Sequence, residues 1–211
     1  SQHTLILGWN SSIYSILQQL STDDEADYDD IVIVADRDID DMWYLVSTNC
    51  SGIQKRTLTI HRGDYTDPSV LDSLSVQAAR QVIILGDAEA QAGHARRLTD
   101  VRILKSILAC CRAIEAKNRG WIRNEPQGKK KNTVHHLTIV ATVGSQASAQ
   151  VLRNGIPEQL KQYISLHVVD TVSVTCRVLT QVIYQPVLAS VYLDLLSYEL
   201  DAEAEGAEIY C

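Results

Sequence analysis

The residues best placed to do chemistry are acids and glycines that close short apolar runs. Ile31-Val32-Ile33-Val34-Ala35 ends at Asp36-Arg37, Thr57-Leu58-Thr59-Ile60-His61 is closed by Gly63-Asp64, and Val82-Ile83-Ile84-Leu85 by Gly86-Asp87. If these runs are parallel strands, their carboxyl ends share one edge, and such sheets bind ligands beyond that edge. Carboxylates gathered there repel one another, and a hard cation such as Ca2+, held by oxygen ligands, relieves the repulsion. Asp36, Asp64 and Asp87 are therefore the candidate metal ligands. Asp36 has a second candidate role, because an acid at this strand end faces the ribose of a bound nucleotide. Asp38, Asp40 and Asp41 read instead as capping and first-turn acids that complement a helix dipole. His61 reads as a strand-end surface residue. No Ser/His/Asp order or Cys/His pairing stands out, so no enzymatic constellation is read.

A further run, Thr4-Leu5-Ile6-Leu7, stops at Gly8 and leads into Trp9-Asn10-Ser11-Ser12. Ile13, Ile16, Leu17 and Leu20 then recur at i, i+3, i+4 and i+7, one face of a helix that Asn10 or Ser11 can cap. A buried strand, a glycine turn and a capped helix open a nucleotide-binding unit, because the helix N-terminus offers amides to an anion. The candidate ligand-binding set is Gly8, Trp9, Asn10, Ser11, Asp36, Arg37, Gly63, Asp64, Gly86 and Asp87. The G-x-G-x-x-G fingerprint is incomplete. Counted from Gly8, Asn10 and Ile13 stand at the second and third glycines, which disfavours a dinucleotide.

The elements that must position these groups follow from periodicity. Beyond the four runs, His135 to Ala141 and Ile164 to Val169 read as a fifth and a sixth strand. Between them lie helices: one through Met42, Trp43, Leu45 and Val46, one opened by Asp67-Pro68, and a short one over 144–153. A long helix from about Arg96 to Ala116 is apolar at Leu98, Val101, Leu104, Leu108 and Cys111. Six strands with intervening crossovers specify an α/β fold with a Rossmann-like, doubly wound parallel sheet. Vicinal His135 and His136 point to opposite faces of their strand and cannot easily share a metal.

Composition bounds the rest. The chain has 211 residues, 45% hydrophobic and 21% charged, enough for one sizeable core. A formal net charge of -7 argues against a nucleic-acid partner. Phenylalanine is absent, so aliphatic side chains must fill the core. Five cysteines form no C-x-x-C pair, and adjacent Cys110 and Cys111 read as small apolar residues of a reducing compartment. No apolar run is long enough to span a bilayer. With no initiator Met and no charged-then-apolar leader, the chain reads as an excised or processed piece. The acidic run Asp23 to Asp30 lacks the ligand alternation and glycine of an EF-hand and reads as a solvated loop. The loop around Lys129-Lys130-Lys131 could meet lipid headgroups, but a solvated loop is the preferred reading.

After Asp170 the pattern changes. Val178, Leu179, Val182 and Ile183 make a helical stripe that Pro186 interrupts. A second helix then carries Val187, Leu188, Val191, Tyr192, Leu195 and Leu196. This stripe is too apolar for a free surface and predicts packing on the sheet or, preferentially, on another subunit. The pattern thus divides the chain into residues 1–170, a two-helix segment over 171–199, and a final stretch over 200–211 that reads as the beginning of a strand.

Several runs carry a family resemblance. His3-Thr4-Leu5-Ile6-Leu7-Gly8-Trp9, Ala35-Asp36-Arg37-Asp38, Asp100-Val101-Arg102-Ile103-Leu104 and the stretch from Gln185-Pro186 to Ala207-Glu208-Ile209-Tyr210 resemble the Castor and Pollux cation channels. That resemblance implies a TrkA-N-like RCK domain (regulator of potassium conductance) of a gating ring at the cytosolic face of a membrane. It also implies that residues 1–170 are the Rossmann-like N-lobe, 171–199 a helix-turn-helix crossover that mates with neighbouring RCK domains, and 200–211 a linker and the start of a C-terminal lobe, with a pore elsewhere in the same protein and sensing of an ion or small ligand. The alternatives are a nucleotide-dependent Rossmann enzyme and a soluble regulatory subunit of a potassium-uptake system.

Overall fold

The computed structural model describes residues 3–21, 30–50, 58–87, 93–124 and 136–196. The acidic run 23–29, His135, the lysine loop and the segment 200–211 lie outside the described residues. His3–Leu7 (β1) is buried along its whole length, which requires a strand on either side and helices on both faces. Its companions are Asp30–Ala35 (β2), Leu58–Arg62 (β3), Gln81–Ile84 (β4), Leu137–Val143 (β5) and Ile164–Asp170 (β6). They pair in the order β3-β2-β1-β4-β5-β6, every neighbouring pair parallel. This is the doubly wound Rossmann-like sheet expected from the apolar runs. Its strand order reverses between β1 and β4, where such folds open a crevice.

The helices are Ser12–Ser21 (α1), Ile39–Asn49 (α2), Pro68–Ser73 (α3), Gly93–Asn124 (α4), Gln146–Arg153 (α5), Thr171–Tyr184 (α6) and Leu188–Leu196 (α7). Local chemistry starts many of them. Asp38 accepts from the Asp40 and Asp41 amides, and Asp67 from that of Ser69 with Pro68 at the first helical position. Ser145 and Asp170 cap α5 and α6 in the same way.

Strand alternation divides the core in two. Leu5, Leu7, Val82, Ile84, Leu137 and Ile139 join Tyr65 and the inner side of α4 in one layer. Ile6, Ile31 and Ile33 join Trp9, Ile13, Leu17, Met42 and Val46 in the other. Without phenylalanine, Tyr65 is the largest of the completely buried side chains among the described residues, and Trp9 is almost as deeply buried in the other layer.

The long helix departs from expectation twice. It runs to Asn124 because no proline intervenes before Pro126 to stop it. It also turns a shifted face inward. Cys111 and, in part, Leu104 of the expected stripe pack on the core beside buried Ile103, Ile107, Cys110 and Ile114, whereas Leu98, Val101 and Leu108 remain exposed. Both stripes have helical spacing, and the smaller neighbours on the first (Ser106, Ala109, Ala113) let the helix sit close. Burial pushes the Cys110 thiol up to about 12 and that of Cys111 to about 11. Only the thiolate attacks, and at pH 8 such a group is ionised in about one molecule in a thousand or fewer. Ellman's reagent should therefore modify exposed Cys176 promptly, and Cys110 and Cys111 only once denaturant unfolds the sheet.

The tail forms a hairpin. Neither α6 nor α7 buries a single residue. They pack on each other, with the Tyr192 hydroxyl donating to Gln181 Oε1, and α6 is anchored to the sheet by Thr171 Oγ1 donating to Val143 O at 3.2 Å. Among the described residues no helix is long and apolar enough to cross a membrane.

Candidate functional site

Gly8 and Gly86 meet at the carboxyl ends of β1 and β4. Both adopt left-handed φ, +90° and +64°, and a Cβ on Gly8 would lie 3.1 Å from the Gly86 nitrogen. That closeness brings Asn10 to the end of β4. Its Nδ2 donates to Leu85 O at 2.8 Å while its Oδ1 accepts from the Ser12 amide at 2.9 Å. One side chain therefore caps α1 and ties it to β4. Thr142 adds a second, longer bond to the same Leu85 carbonyl at 3.4 Å. At the third glycine position Ile13 is wholly buried beneath the helix. The crevice where a pyrophosphate would lie is thus closed by the protein's own bonds, and an amide that would greet the anion is already used.

The other candidates separate into two places. Trp9 is buried against Tyr14, edge to face at 6.2 Å, with exposed Arg37 6.0 Å above its ring. Ser11 is exposed and points to no partner that would single it out. Asp36 is exposed and pairs with Arg62 at 3.9 Å, a surface pair worth little. Gly63 donates its amide to Ala35 O at 3.0 Å and packs under Val70. Asp64 folds into its own turn: Oδ1 accepts from the Thr66 amide at 3.0 Å and the Thr66 hydroxyl at 2.9 Å. Those bonds, the amide first, hold its carboxyl below the ordinary range, with help from Arg102 and Lys105.

Asp64 and Asp87 are joined through two residues that periodicity did not single out. Buried Tyr65 donates its hydroxyl to Asp87 Oδ2 at 2.9 Å. Arg102, from α4, lies over the Tyr65 ring at 4.8 Å and places Nε 3.3 Å from Asp87 Oδ2 and Nη2 3.5 Å from Asp64 Oδ1. The Nε contact lacks hydrogen-bond alignment, so the attraction there is charge to charge. Burial, then the Asp87 charge, pushes the Tyr65 phenol far above the ordinary tyrosine range. Burial opposes the Arg102 charge, but Tyr65, Asp87 and Asp64 outweigh it and raise its pKa. The three strand-end acids do not converge: no group of three metal-capable side chains occurs among the described residues. A Ca2+ ion, which takes six to eight oxygens, is not fitted by a pair of carboxylates already holding a guanidinium.

Over 198 residues, 93% of the chain, the sequence is 26% identical to the ion channel CASTOR of Lotus japonicus. It is 24% identical over 198 residues to the probable ion channel CASTOR of Oryza sativa subsp. japonica. This chain is similar to the Castor ion channels. It spans about a fifth of those proteins, 20% and 19% of their lengths. No protein-family model matches it. Among solved structures, the human SLO3 gating ring aligns with a TM-score of 0.45 and 11% identity, over 78% of this chain and 24% of that one. The runs that carry the Castor resemblance fall at β1 and its glycine turn, at the end of β2, in α4, and at the turn of the α6–α7 hairpin. The Ala207 to Tyr210 run lies outside the described residues.

The closed crevice has a measurable consequence. Calorimetry with NAD, NADH or ATP should detect nothing tighter than roughly 0.1 mM, about -5.5 kcal/mol. A micromolar constant would mean that Asn10 swings away and the crevice opens.

Proposed function

We propose that this chain is the regulatory Rossmann lobe of a Castor-like cation channel, an RCK-type domain of a cytosolic gating ring. Residues 1–170 are the lobe, 171–199 the crossover that mates with a neighbouring copy, and 200–211 the link to a further lobe. The pore belongs to the remainder of the protein. In this reading the domain is not an enzyme, and ligands act at the carboxyl edge. A ligand that prefers one arrangement of the ring shifts the gate by its differential affinity.

The observation that carries the reading is the uncovered α6–α7 hairpin at the end of a Castor-like sequence. Ile183 is 77% exposed, Tyr184 82%, Val187 72% and Leu196 73%, and a concentration of exposed large side chains of this kind marks an interaction surface. Across 171–196 the only charged residues are Arg177 and Asp194, one of each sign, so two copies can meet without net charge. An enzyme reading has less support. His136 Nε2 does lie 2.7 Å from Ser165 Oγ, but the pair is exposed at the start of β5 and its Nδ1 faces a carbonyl, Gln162 O, rather than a carboxylate. Sedimentation of the chain at tens of micromolar tests the proposal. A dimer or larger species is expected, and a folded monomer at that concentration would overturn the assembly role.

A further inference from the structure

The run Asp100-Val101-Arg102-Ile103-Leu104 lies on a stretch of α4 that meets α5, the Gly155 turn and the ends of β3 and β4. Asp100 Oδ2 accepts from Ser148 of α5 at 2.5 Å. Ile103 is buried over Gly86, close enough that a Cβ there would stand 3.2 Å from its Cδ1. Leu104 reaches to within 3.5 Å of where a Gly155 Cβ would be. Arg102 points the other way, to the ends of β3 and β4.

From this arrangement we infer that Arg102 is the built-in counter-cation of the strand-end carboxylates, locking α4 to the edge and making that edge indifferent to divalent ions. Three features carry the inference. First, the guanidinium is held from several sides: the Tyr65 ring beneath it, Asp64 Oδ1 at 3.5 Å and Asp87 Oδ2 at 3.3 Å. Second, the carboxylate oxygens that face it are already engaged. Asp64 Oδ1 also serves the Thr66 amide and hydroxyl, and Asp87 Oδ2 the Tyr65 hydroxyl. A carboxylate oxygen has about two lone-pair sites, so little remains for a metal on the two oxygens that face the guanidinium. Third, a divalent ion between the two acids would share the space with a fixed positive charge and be repelled by it. The strand-end acids thus hold a cation, and that cation is a side chain. The inference stands whether or not the hairpin assembles.

The test compares wild type with Arg102→Gln, Arg102→Lys and Arg102→Gln/Asp87→Asn, each titrated with CaCl2 in the calorimeter. Arg102→Gln should bind Ca2+ roughly tenfold or more tightly than wild type, since about 1.4 kcal/mol of charge repulsion suffices for that factor. Arg102→Lys, which keeps the charge, and the double variant, which loses an oxygen ligand, should not gain. A folded Arg102→Gln that binds Ca2+ no better than wild type overturns the inference. Should that variant fail to fold, the wild-type protein decides. Its Arg102 Nη2–H resonance, donated to Asp64 Oδ1, should exchange slowly with water and stay in place in millimolar CaCl2. Rapid exchange, or displacement by Ca2+, would overturn the lock.

Discussion

Gly86→Ala is expected to destabilise the domain by about 2–5 kcal/mol, with a melting midpoint about 5–20 °C below wild type. Two independent penalties combine. At φ +64° any Cβ is strained, by about 1–2 kcal/mol for an L-residue in the left-handed region. The added carbon would also stand 2.5 Å from Thr99 Cγ2 and 3.2 Å from Ile103 Cδ1, so the clamped turn of α4 must move outward. Overpacking of that kind costs about 1–3 kcal/mol. Gly8→Ala should be destabilised too, because its φ is +90° and its Cβ would press on the Gly86 backbone at 3.1 Å, where no rotamer change gives relief. Gly63→Ala is the control, with an ordinary backbone and only Val70 Cγ1 at 3.1 Å. Thermal melts followed by circular dichroism decide. A Gly86→Ala midpoint no lower than that of Gly63→Ala would show that the β1–β4 junction is not tightly closed.

The second large effect is on assembly. Leu195→Glu combined with Leu196→Glu should weaken self-association at least a hundredfold and leave a folded monomer. Leu195 and Leu196 lie on α7, which buries nothing within its own chain, so replacing them removes no intramolecular core. Each leucine taken from an interface forfeits about 1.5–3 kcal/mol of apolar burial. Two together reach about 3 kcal/mol, which is more than a hundredfold in the dissociation constant. Seating two carboxylates in an apolar seam adds a desolvation penalty. The readouts are sedimentation and far-ultraviolet circular dichroism. If the double variant sediments like wild type with unchanged helix content, the hairpin does not hold copies together. If it loses helix content, α7 is supported by contacts within the chain.

Much of the lobe was legible in the residues because each strand announces itself. Apolar runs of four or five residues closed by Gly or Asp suit strands buried on both faces of a parallel sheet, and every connection is long enough for a crossover. The caps at Asp38 and Asp67 are local bonds spanning two or three residues, so spacing alone identified them. The substitution of Asn10 and Ile13 for glycines likewise disfavoured a dinucleotide before any geometry was available.

What the sequence could not settle are choices made between distant surfaces. Two stripes of α4 carry helical apolar spacing, and only docking against α3 and β5 selected Ile103, Ile107 and Cys110 over Leu98, Val101 and Leu108. Asn10 caps α1 within three residues, a local act, yet its bond to Leu85 spans 75 residues and depends on the Gly8–Gly86 approach. As metal ligands the three strand-end acids looked alike in sequence, and Asp36 alone also had a ribose-facing position. The fold left Asp36 in solvent and gave Asp64 and Asp87 to Arg102, 38 residues beyond Asp64, because α4 crosses the edge there. Periodicity determined that the 171–196 hairpin is apolar. Only the tertiary structure decided that it stands off its own sheet, since both faces of that sheet were already filled by α1 to α5 and no buried site remained for it.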